Sequence, residues 1–574
     1  MSSSSFLVGE IMASKKYGQE YGKDGMAPSG PADAPLGPGV LEQDPVTFEV
    51  VNSALHAICA EMKSIIMRTS FSPLLSLSAD LSCALLDVRC NVIAQGVDIP
   101  VHLGAARYTG QAALKYYPPE TWRDGDGVLL NDPYEGGTHL PDMSLLTPIF
   151  SQGILVGFAL SRIHWPDIGG IAAGSSSVSD EIIKEGLRIP PIRILDEGAV
   201  REDVLRLILA NVRVPGDRKG DFHAALAGHK RATERVIELC ARYGTNVITR
   251  IMADTQAYSR RLVEARLRDL PDAEVVREET LDSDGVDPDA APLVRVRIKK
   301  TGVRLIFDFT GSSPCVAGPI NAPLPVTASA VFYTVLSFLG GDISPNSGVY
   351  AGVEIIAPEN SIVHAAYPHP VVAANTETAN RMADMLLGAL GEAYPQLACA
   401  GSYGSACVYT MGGVVPESHR PFVHYETIGG GMGATAAGRG ISGHRVHMGN
   451  TMNLPIEGME ASMPVRFIEY GIVRGSGGSG RHPGGDGVRK TIEVLTDHVR
   501  ASVLGERTKT PAAGSSGGSA GALARFCIES ADGARRELVA KSGPHRLMKG
   551  DRLVMVTAGG GGWGAHEPSD GSQA

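Results

Sequence analysis

The stretch VLLNDPYEGGTHLPDMSLLTPIFSQGILVGFALSRIHWPDIGG (128–170) decides how the chain is read. Apolar runs rich in β-branched and large residues, VLL, SLLTPIF and ILVGFALSRI, alternate with polar, glycine-containing segments, the pattern of strands bounded by turns. The segments NDPYEGGTHLPD and HWPDIGG therefore sit at strand ends, where a rigid sheet holds loop side chains for chemistry. Each carries a histidine and an aspartate three residues apart with a proline before the acid: His139 and Asp142 in HLPD, His164 and Asp167 in HWPD. Two histidines and one carboxylate aimed at a point suffice to hold a divalent ion with open positions, as in hydrolytic zinc centres and two-His-one-carboxylate iron centres. A lone His-x-x-Asp also arises where an aspartate merely bonds its own backbone in a turn. Duplication of the motif, with glycine beside each copy to permit close backbone approach, makes metal binding by the two histidines and a carboxylate of these turns the sharper expectation.

Working outward, Phe48, Val51, Leu55, Ile58, Met62 and Ile65 recur at spacings of three and four, predicting a buried amphipathic helix that ends near Ser70. LSCALLDVRCNVIAQ (81–95) reads as a hairpin whose first strand opens at Asp80. Asp80 and His102 join Asp167 as catalytic candidates, although each taken singly is typical of a satisfied polar group or strand-end cap. A helix-rich stretch is expected from 181 to 270, broken at VRVPGDRKGD (212–221). VRVRIKKTGVRLIFDFTG (294–311) predicts a second hairpin, and Met382, Met385, Leu386, Ala389 and Leu390 share one helix face. Beyond residue 400 the chain alternates strands with glycine turns. The expectation is an α+β, β-rich mixed fold with Gly-rich turns, a helical middle segment, and the metal site at strand ends in the first third. Its regions divide as a tail at 1–43, a metal-site catalytic region at 44–270, a mixed α/β region at 271–400, a Gly-rich β region at 401–566 and a tail at 567–574.

Composition narrows the function. Lys and Arg number 52 against 62 Asp and Glu, a formal net charge of −10, and no basic run interleaves with aromatics, so nucleic acid is not an expected partner. Eight cysteines without a CxxC pair argue against a zinc ribbon or a disulfide framework. No apolar run approaches a membrane span, and MSSSSFLVGEIMASKK lacks the basic-then-apolar order of a secretory signal, so a cytoplasmic protein away from membranes is expected. The 70 glycines in 574 residues, about 12% against a usual ~7%, cluster in runs such as GGGMGA (429–434), GSGGSG (475–480) and AGGGGWG (558–564). None continues into GK[ST] within a strand-to-helix unit, so they read as tight turns rather than phosphate cradles.

DIPVHLGA (98–105), LLNDPYEGGTHLPDMSLLTPIF (129–150), RIHWPDIGG (162–170), EGLRIPP (185–191) and NVRVPGDRKGD (211–221) together resemble the hydantoinase B family. So do NTETANRMAD (375–384), YETIGGGMGA (425–434) and NTMNLPIEGMEASMPV (450–465). The family includes B subunits of ATP-dependent hydantoinases and caprolactamase, the C-terminal half of 5-oxoprolinase, and the large subunits of acetone and acetophenone carboxylases. The resemblance implies a divalent metal (Zn, Mn or Fe) on His139, Asp142 and His164, with the acid Asp80 close by. It also implies a hydantoinase A-like ATPase partner, in an α2β2 heterotetramer, that uses ATP and Mg to phosphorylate the substrate oxygen. The expected function is the metal subunit of an ATP-dependent cyclic amidase opening a hydantoin, lactam or oxoproline-like ring, with Asp80 or Asp167 taking a proton. A ketone carboxylase subunit is the alternative; an iron oxygenase and a non-catalytic scaffold for the ATPase are further rivals. Trp165-Pro166 stands where many members carry smaller residues, and is expected to reshape the pocket beside His164.

Overall fold

A computed structural model describes residues 39–174, 177–340 and 342–565. Most of the segment read as an N-terminal tail, residues 1–38, and the C-terminal tail at 567–574 lie outside the described residues. Residues 39–43 belong to the folded chain: Val40–Gln43 is a helical turn whose Val40 N–H donates to Asp254 at 2.6 Å, a partner 214 residues away that no local pattern reveals.

The first sheet has seven strands, β1 (Leu81–Leu86), β2 (Val92–Gln95), β3 (Gly127–Leu130), β4 (Asp142–Ser151), β5 (Ile154–His164), β6 (Ile192–Asp196) and β7 (Ala199–Val200). They lie in the order β2-β1-β5-β4-β3-β6-β7. One face (Leu81, Cys83, Leu85, Leu145, Ile163) packs on the helices Pro45–Thr69 and Pro215–Tyr243. The other (Ala84, Leu86, Leu146, Phe158, Leu160) packs with Ala106, Ala112 and Ala113 of the helix Pro100–Tyr116. Burial on both faces is why β4 and β5 read as nearly continuous apolar runs without clean alternation.

Pro45–Thr69 is long and apolar enough to cross a membrane, but its stripe Phe48, Val51, Leu55, Ile58, Met62 and Ile66 is buried in this core. Asp44 starts it by accepting the Thr47 N–H at 3.0 Å, with Pro45 at the first helical position where a missing N–H costs nothing.

The helix-rich expectation for 181–270 holds from Glu202 onward, through the helices Glu202–Leu209, Pro215–Tyr243 and Thr245–Arg268. Before that point it fails, because β6 and β7 form a hairpin closed by Glu197 and Gly198, both at positive φ. Two central residues in that conformation match the right-handed strand twist, and IRILDEGAV is a hairpin sequence by the same rule.

Three further sheets follow. Ala273–Thr280, Leu293–Thr301, Arg304–Asp308 and Val353–Ile356 form a four-stranded sheet, within which the expected 294–311 hairpin pairs Leu293–Thr301 with Arg304–Asp308. Its core holds the buried helices Leu324–Leu339 and Ala379–Ala393. Beyond residue 400, one four-stranded and one five-stranded antiparallel sheet share a core built on Tyr409, Ile492, Val503, Phe526 and Leu553.

The glycine runs are not isolated turns. They are extended strings laid against one another, with Gly431 N–H donating to Ala558, Gly485 to Met432, Gly560 to Gly485 and Gly561 to Gly401, all at 2.8–2.9 Å. A Cβ on Gly560 would sit 2.2 Å from the Met432 carbonyl oxygen, so the backbones approach as only glycine allows.

Candidate metal centre

Antiparallel pairing sets the site. In the β4–β5 register Asp142 faces His164 directly, which places both side chains on one side of the sheet. His139 precedes β4 in a turn closed by the Asp142 N–H on the His139 carbonyl at 3.0 Å. That turn is fastened by Asn131, whose amide donates to Leu140 O at 2.7 Å and Leu187 O at 3.0 Å while its oxygen accepts the Ile189 N–H.

The three groups meet at short range. His139 Nε2 lies 3.0 Å from Asp142 Oδ1, His164 Nδ1 lies 3.1 Å from the same oxygen, and the two nitrogens are 3.3 Å apart. All three residues are at most 2% exposed. His139 Nδ1 donates to the Val372 carbonyl at 3.0 Å, so the neutral ring turns a bare lone pair at Nε2 toward the carboxylate. Lone pairs on two nitrogens and one oxygen then converge, an arrangement that repels itself unless a cation stands among them. Ligand atoms ~2.1 Å from one ion are separated by about 3.0 Å in octahedral and about 3.4 Å in tetrahedral geometry. The observed separations match, and these three are the His, Asp and His side chains that group as a possible metal set among the described residues.

A proton is the other cation that can stand there. Burial disfavours charge on His139, but the Asp142 carboxylate, the Val372 carbonyl and Asp80 outweigh it and raise its pKa. Burial likewise opposes ionisation of Asp142, but the His102 and His139 imidazoles outweigh it and hold the carboxyl well below its ordinary range.

Asp142 Oδ2 points away from the cluster and is saturated by Thr138 Oγ1 at 2.5 Å, Asn375 Nδ2 at 2.9 Å and His102 Nε2 at 3.2 Å. His102 thus reaches the centre through the carboxylate, its Nδ1 meeting Ser82 Oγ at 3.1 Å. The backbone of His102 is held in turn by the buried Arg162, Nη1 to the carbonyl at 3.1 Å. Asp80, 5% exposed, stands at the mouth of β1, and its carbonyl accepts the His164 N–H at 3.1 Å. Tyr425 lies against the His164 ring at 4.3 Å between centroids, and the nearby charges of Asp80, Asp142 and Glu377 add to burial in raising its pKa.

Asp167 is not brought to this cluster. Both its oxygens are occupied by Arg213, through the backbone N–H and Nη1 at 2.8 Å, with further bonds from the Val214 and Gly169 N–H groups. It ties the turn after β5 to the segment before the helix Pro215–Tyr243. Trp165 also points elsewhere: side chains alternate along an extended segment, so beside a His164 that faces the site it lies in the core with Ile168 and Phe222, 5.9 Å from Arg218. The expected reshaping of the pocket by Trp165 is therefore not seen.

Residue reading missed Thr138, Asn375, Glu185, Arg162 and Tyr425. Glu185, Asn375 and Tyr425 stand in the strings EGLRIPP, NTETANRMAD and YETIGGGMGA, which the family resemblance singled out without assigning a role to any of them.

The family model for hydantoinase B/oxoprolinase matches residues 44–566. The chain is 30% identical over 550 residues to 5-oxoprolinase of Dictyostelium discoideum, with 94% of this chain aligned to 42% of that protein. Against caprolactamase subunit beta of Pseudomonas jessenii it is 30% identical, covering 91% of each chain. The crystal structure of ATP-dependent caprolactamase from the same organism superposes with a TM-score of 0.84 at 28% identity over 91% of both chains. A nucleotide-free acetone carboxylase shares the fold alone, with a TM-score of 0.83 at 19% identity over 92% of this chain and 76% of that one.

Proposed function

The chain belongs to the hydantoinase B/oxoprolinase family, and from that premise we propose that it is the metal-bearing subunit of an ATP-dependent cyclic amide hydrolase. The substrate class is a hydantoin, lactam or oxoproline-like ring, activated by phosphorylation on a separate ATPase subunit. The observation that carries this reading is the convergence of His139 Nε2, Asp142 Oδ1 and His164 Nδ1 at 3.0–3.3 Å. Caprolactamase subunit beta matches this chain over 91% of both, whereas the 5-oxoprolinase is more than twice as long, which supports a partner for the activation step.

A divalent ion held by His139, Asp142 and His164 would supply a Lewis acid and acidify water at neutral pH. The protein's own residues prepare that place. Val372 O fixes His139 with Nε2 inward. Thr138, His102 and Asn375 occupy Asp142 Oδ2, leaving Oδ1 for the centre. Burial of the whole group keeps bulk water away, so the activated ring would be opened by a water held at the site, with the C–N bond broken and phosphate released. Asp80 is the proposed general base, a carboxylate beside the cluster that takes a proton from that water. His102 is a positioning residue acting through Asp142. We place the complex in the cytoplasm.

The test is co-purification with the product of the neighbouring gene, metal analysis, and ATP consumption across cyclic amides and ketones, with and without bicarbonate. Ring-dependent ATP hydrolysis independent of bicarbonate supports the proposal. Bicarbonate-dependent consumption of a ketone overturns it in favour of a carboxylase.

A further inference from the structure

We infer that Arg162 is a positioning residue of the metal centre: one buried guanidinium clamps three separate segments, so that His102 is delivered to Asp142. This rests on the metal-bearing part of the function proposed above and names a residue outside the ligand set on which metal affinity depends.

Strand pairing puts Arg162 on the face that carries the ligands. It stands opposite Ser144 of β4 and Ser82 of β1, two residues before His164 on β5, while Ser144 stands two residues after Asp142 on β4. Cross-strand partners share a face, and so do alternate residues of one strand. Ser82, Ser144, Arg162, Asp142 and His164 therefore lie on one side of the sheet. Leu146 and Leu160 continue that side and pack with the helix Pro100–Tyr116, which carries His102.

The guanidinium is 2% exposed, and its three nitrogens each find a different acceptor. Nε donates to Ser144 Oγ at 2.9 Å, Nη1 to the His102 carbonyl at 3.1 Å, and Nη2 to Thr109 Oγ1. Each of these bonds ends one step from the centre. His102 reaches Asp142 Oδ2 through Nε2 at 3.2 Å, and Ser144 shares a strand with Asp142. Thr109 in turn donates its hydroxyl hydrogen to the Gly136 carbonyl at 2.7 Å, in the loop that runs on to Thr138 and His139. That loop hugs the helix: a Cβ on Gly136 would lie 2.6 Å from the Tyr108 carbonyl oxygen. All three acceptors of the fork are neutral, and burying a cation against neutral groups is costly. Burial works against its charge, and the Asp142 carboxylate works for it. A planar fork meets three acceptors at fixed angles, whereas the single ammonium of a lysine cannot hold the same three groups in register.

The experiment titrates the metal-free full chain with Zn²⁺, and separately with Mn²⁺, in competition with a chromogenic chelator. Wild type, Arg162→Lys, His102→Ala and the double variant are compared. Arg162→Lys keeps the charge and drops the fork, and His102→Ala removes the group that the fork delivers. Each should weaken metal binding by about 10–100-fold, the usual effect of losing a residue that orients a ligand. Because Arg162 acts through His102, the loss in the double variant should fall short of the product of the two single losses by at least about threefold. If Arg162→Lys does not fold, Thr109→Val removes one acceptor of the fork in its place, and the same shortfall is expected. Unchanged metal affinity in the folded Arg162→Lys chain, with only its melting temperature lowered, would make Arg162 a plain structural clamp and overturn the inference. Losses that multiply in full overturn it as well, since the two residues then act independently. Wild type that binds neither ion removes the proposed metal centre itself, and the inference with it, an outcome read before any variant is compared.

Discussion

His139 donates its Nδ1–H to the carbonyl of Val372, 233 residues further along the chain, at 3.0 Å. The candidate metal centre is therefore assembled from two distant segments: the β4–β5 turns supply the three groups, and residues 371–375 orient two of them. Val372 fixes the tautomer of His139, and Asn375 pins Asp142. Glu185 holds the intervening peptides, so the same carboxyl governs both contacts indirectly.

Replacing His139 or His164 by alanine should abolish stoichiometric metal, with content measured by elemental analysis falling from about one per chain to background. Three converging donors make a site with useful affinity and two do not. The fold should persist, because each ring packs at the sheet end and contributes no apolar core contact comparable to Leu145 or Ile163. Undiminished metal in both variants would place the ion elsewhere.

Much of the frame is legible in sequence, and the reasons are local. The period of Phe48 to Met62, the Asp44-Pro45 start and the duplicated His-x-x-Asp turns each depend on neighbours within a few residues, although the last core position is Ile66 rather than the expected Ile65. Leu324–Leu339 was not legible: most of LPVTASAVFYTVLSFL is buried, so its apolar residues are spread around the helix and no single stripe marks it. The supporting groups were equally hidden. Asn375 meets Asp142, and Glu185 meets Val371, only after the fold brings them together. Asp167 shows the converse, since its motif is identical to that of Asp142 yet Arg213 claims it.

The pH dependence of stability offers a test of Glu185. Burial raises its pKa to about 7, against which its bonds from Val371, Val372 and Ser179 act only partly. Between the unfolded value of about 4.5 and 7 the folded chain holds a proton that the unfolded chain has released. Wild-type stability from this group is therefore full below about pH 4.5, falls as pH rises to 7, and is level above. Glu185→Gln lacks the titration, so the stability of wild type relative to the variant should decline by about 2–3 kcal/mol from pH 5 to pH 8, read by denaturant unfolding. A constant difference would mean that Glu185 is ionised throughout.

The isolated chain should not bind ATP in the micromolar range. Gly431, Gly485 and Gly560 spend their N–H groups on one another's neighbours, so these donors are not free to cradle phosphate. Gly560→Ala should destabilise the C-terminal region by more than about 3 kcal/mol, because the new methyl meets backbone atoms that have nowhere to move. Calorimetric titration with ATP and thermal unfolding of the variant check the two statements, and saturable micromolar binding would return the glycine strings to consideration as nucleotide sites.

Asp80 should matter to turnover far more than to stability. It opens β1 with its carbonyl accepting the His164 N–H, a bond that any residue at this position retains. Its carboxylate sits near enough to His139 and Tyr425 to act on both electrostatically. Asp80→Asn keeps volume and backbone bonding and removes only the charge and the basicity. Loss of the base should lower kcat by a factor of about 10²–10⁴ with the partner present. Metal content and melting temperature should stay near wild type, which separates a proton-transfer role from a ligand or a cap. Near-normal turnover in Asp80→Asn would remove it from the mechanism. Asp167 is poorly placed to replace it, since both its oxygens are already bonded to Arg213, and His102, bonded to Asp142 Oδ2, would be the next candidate.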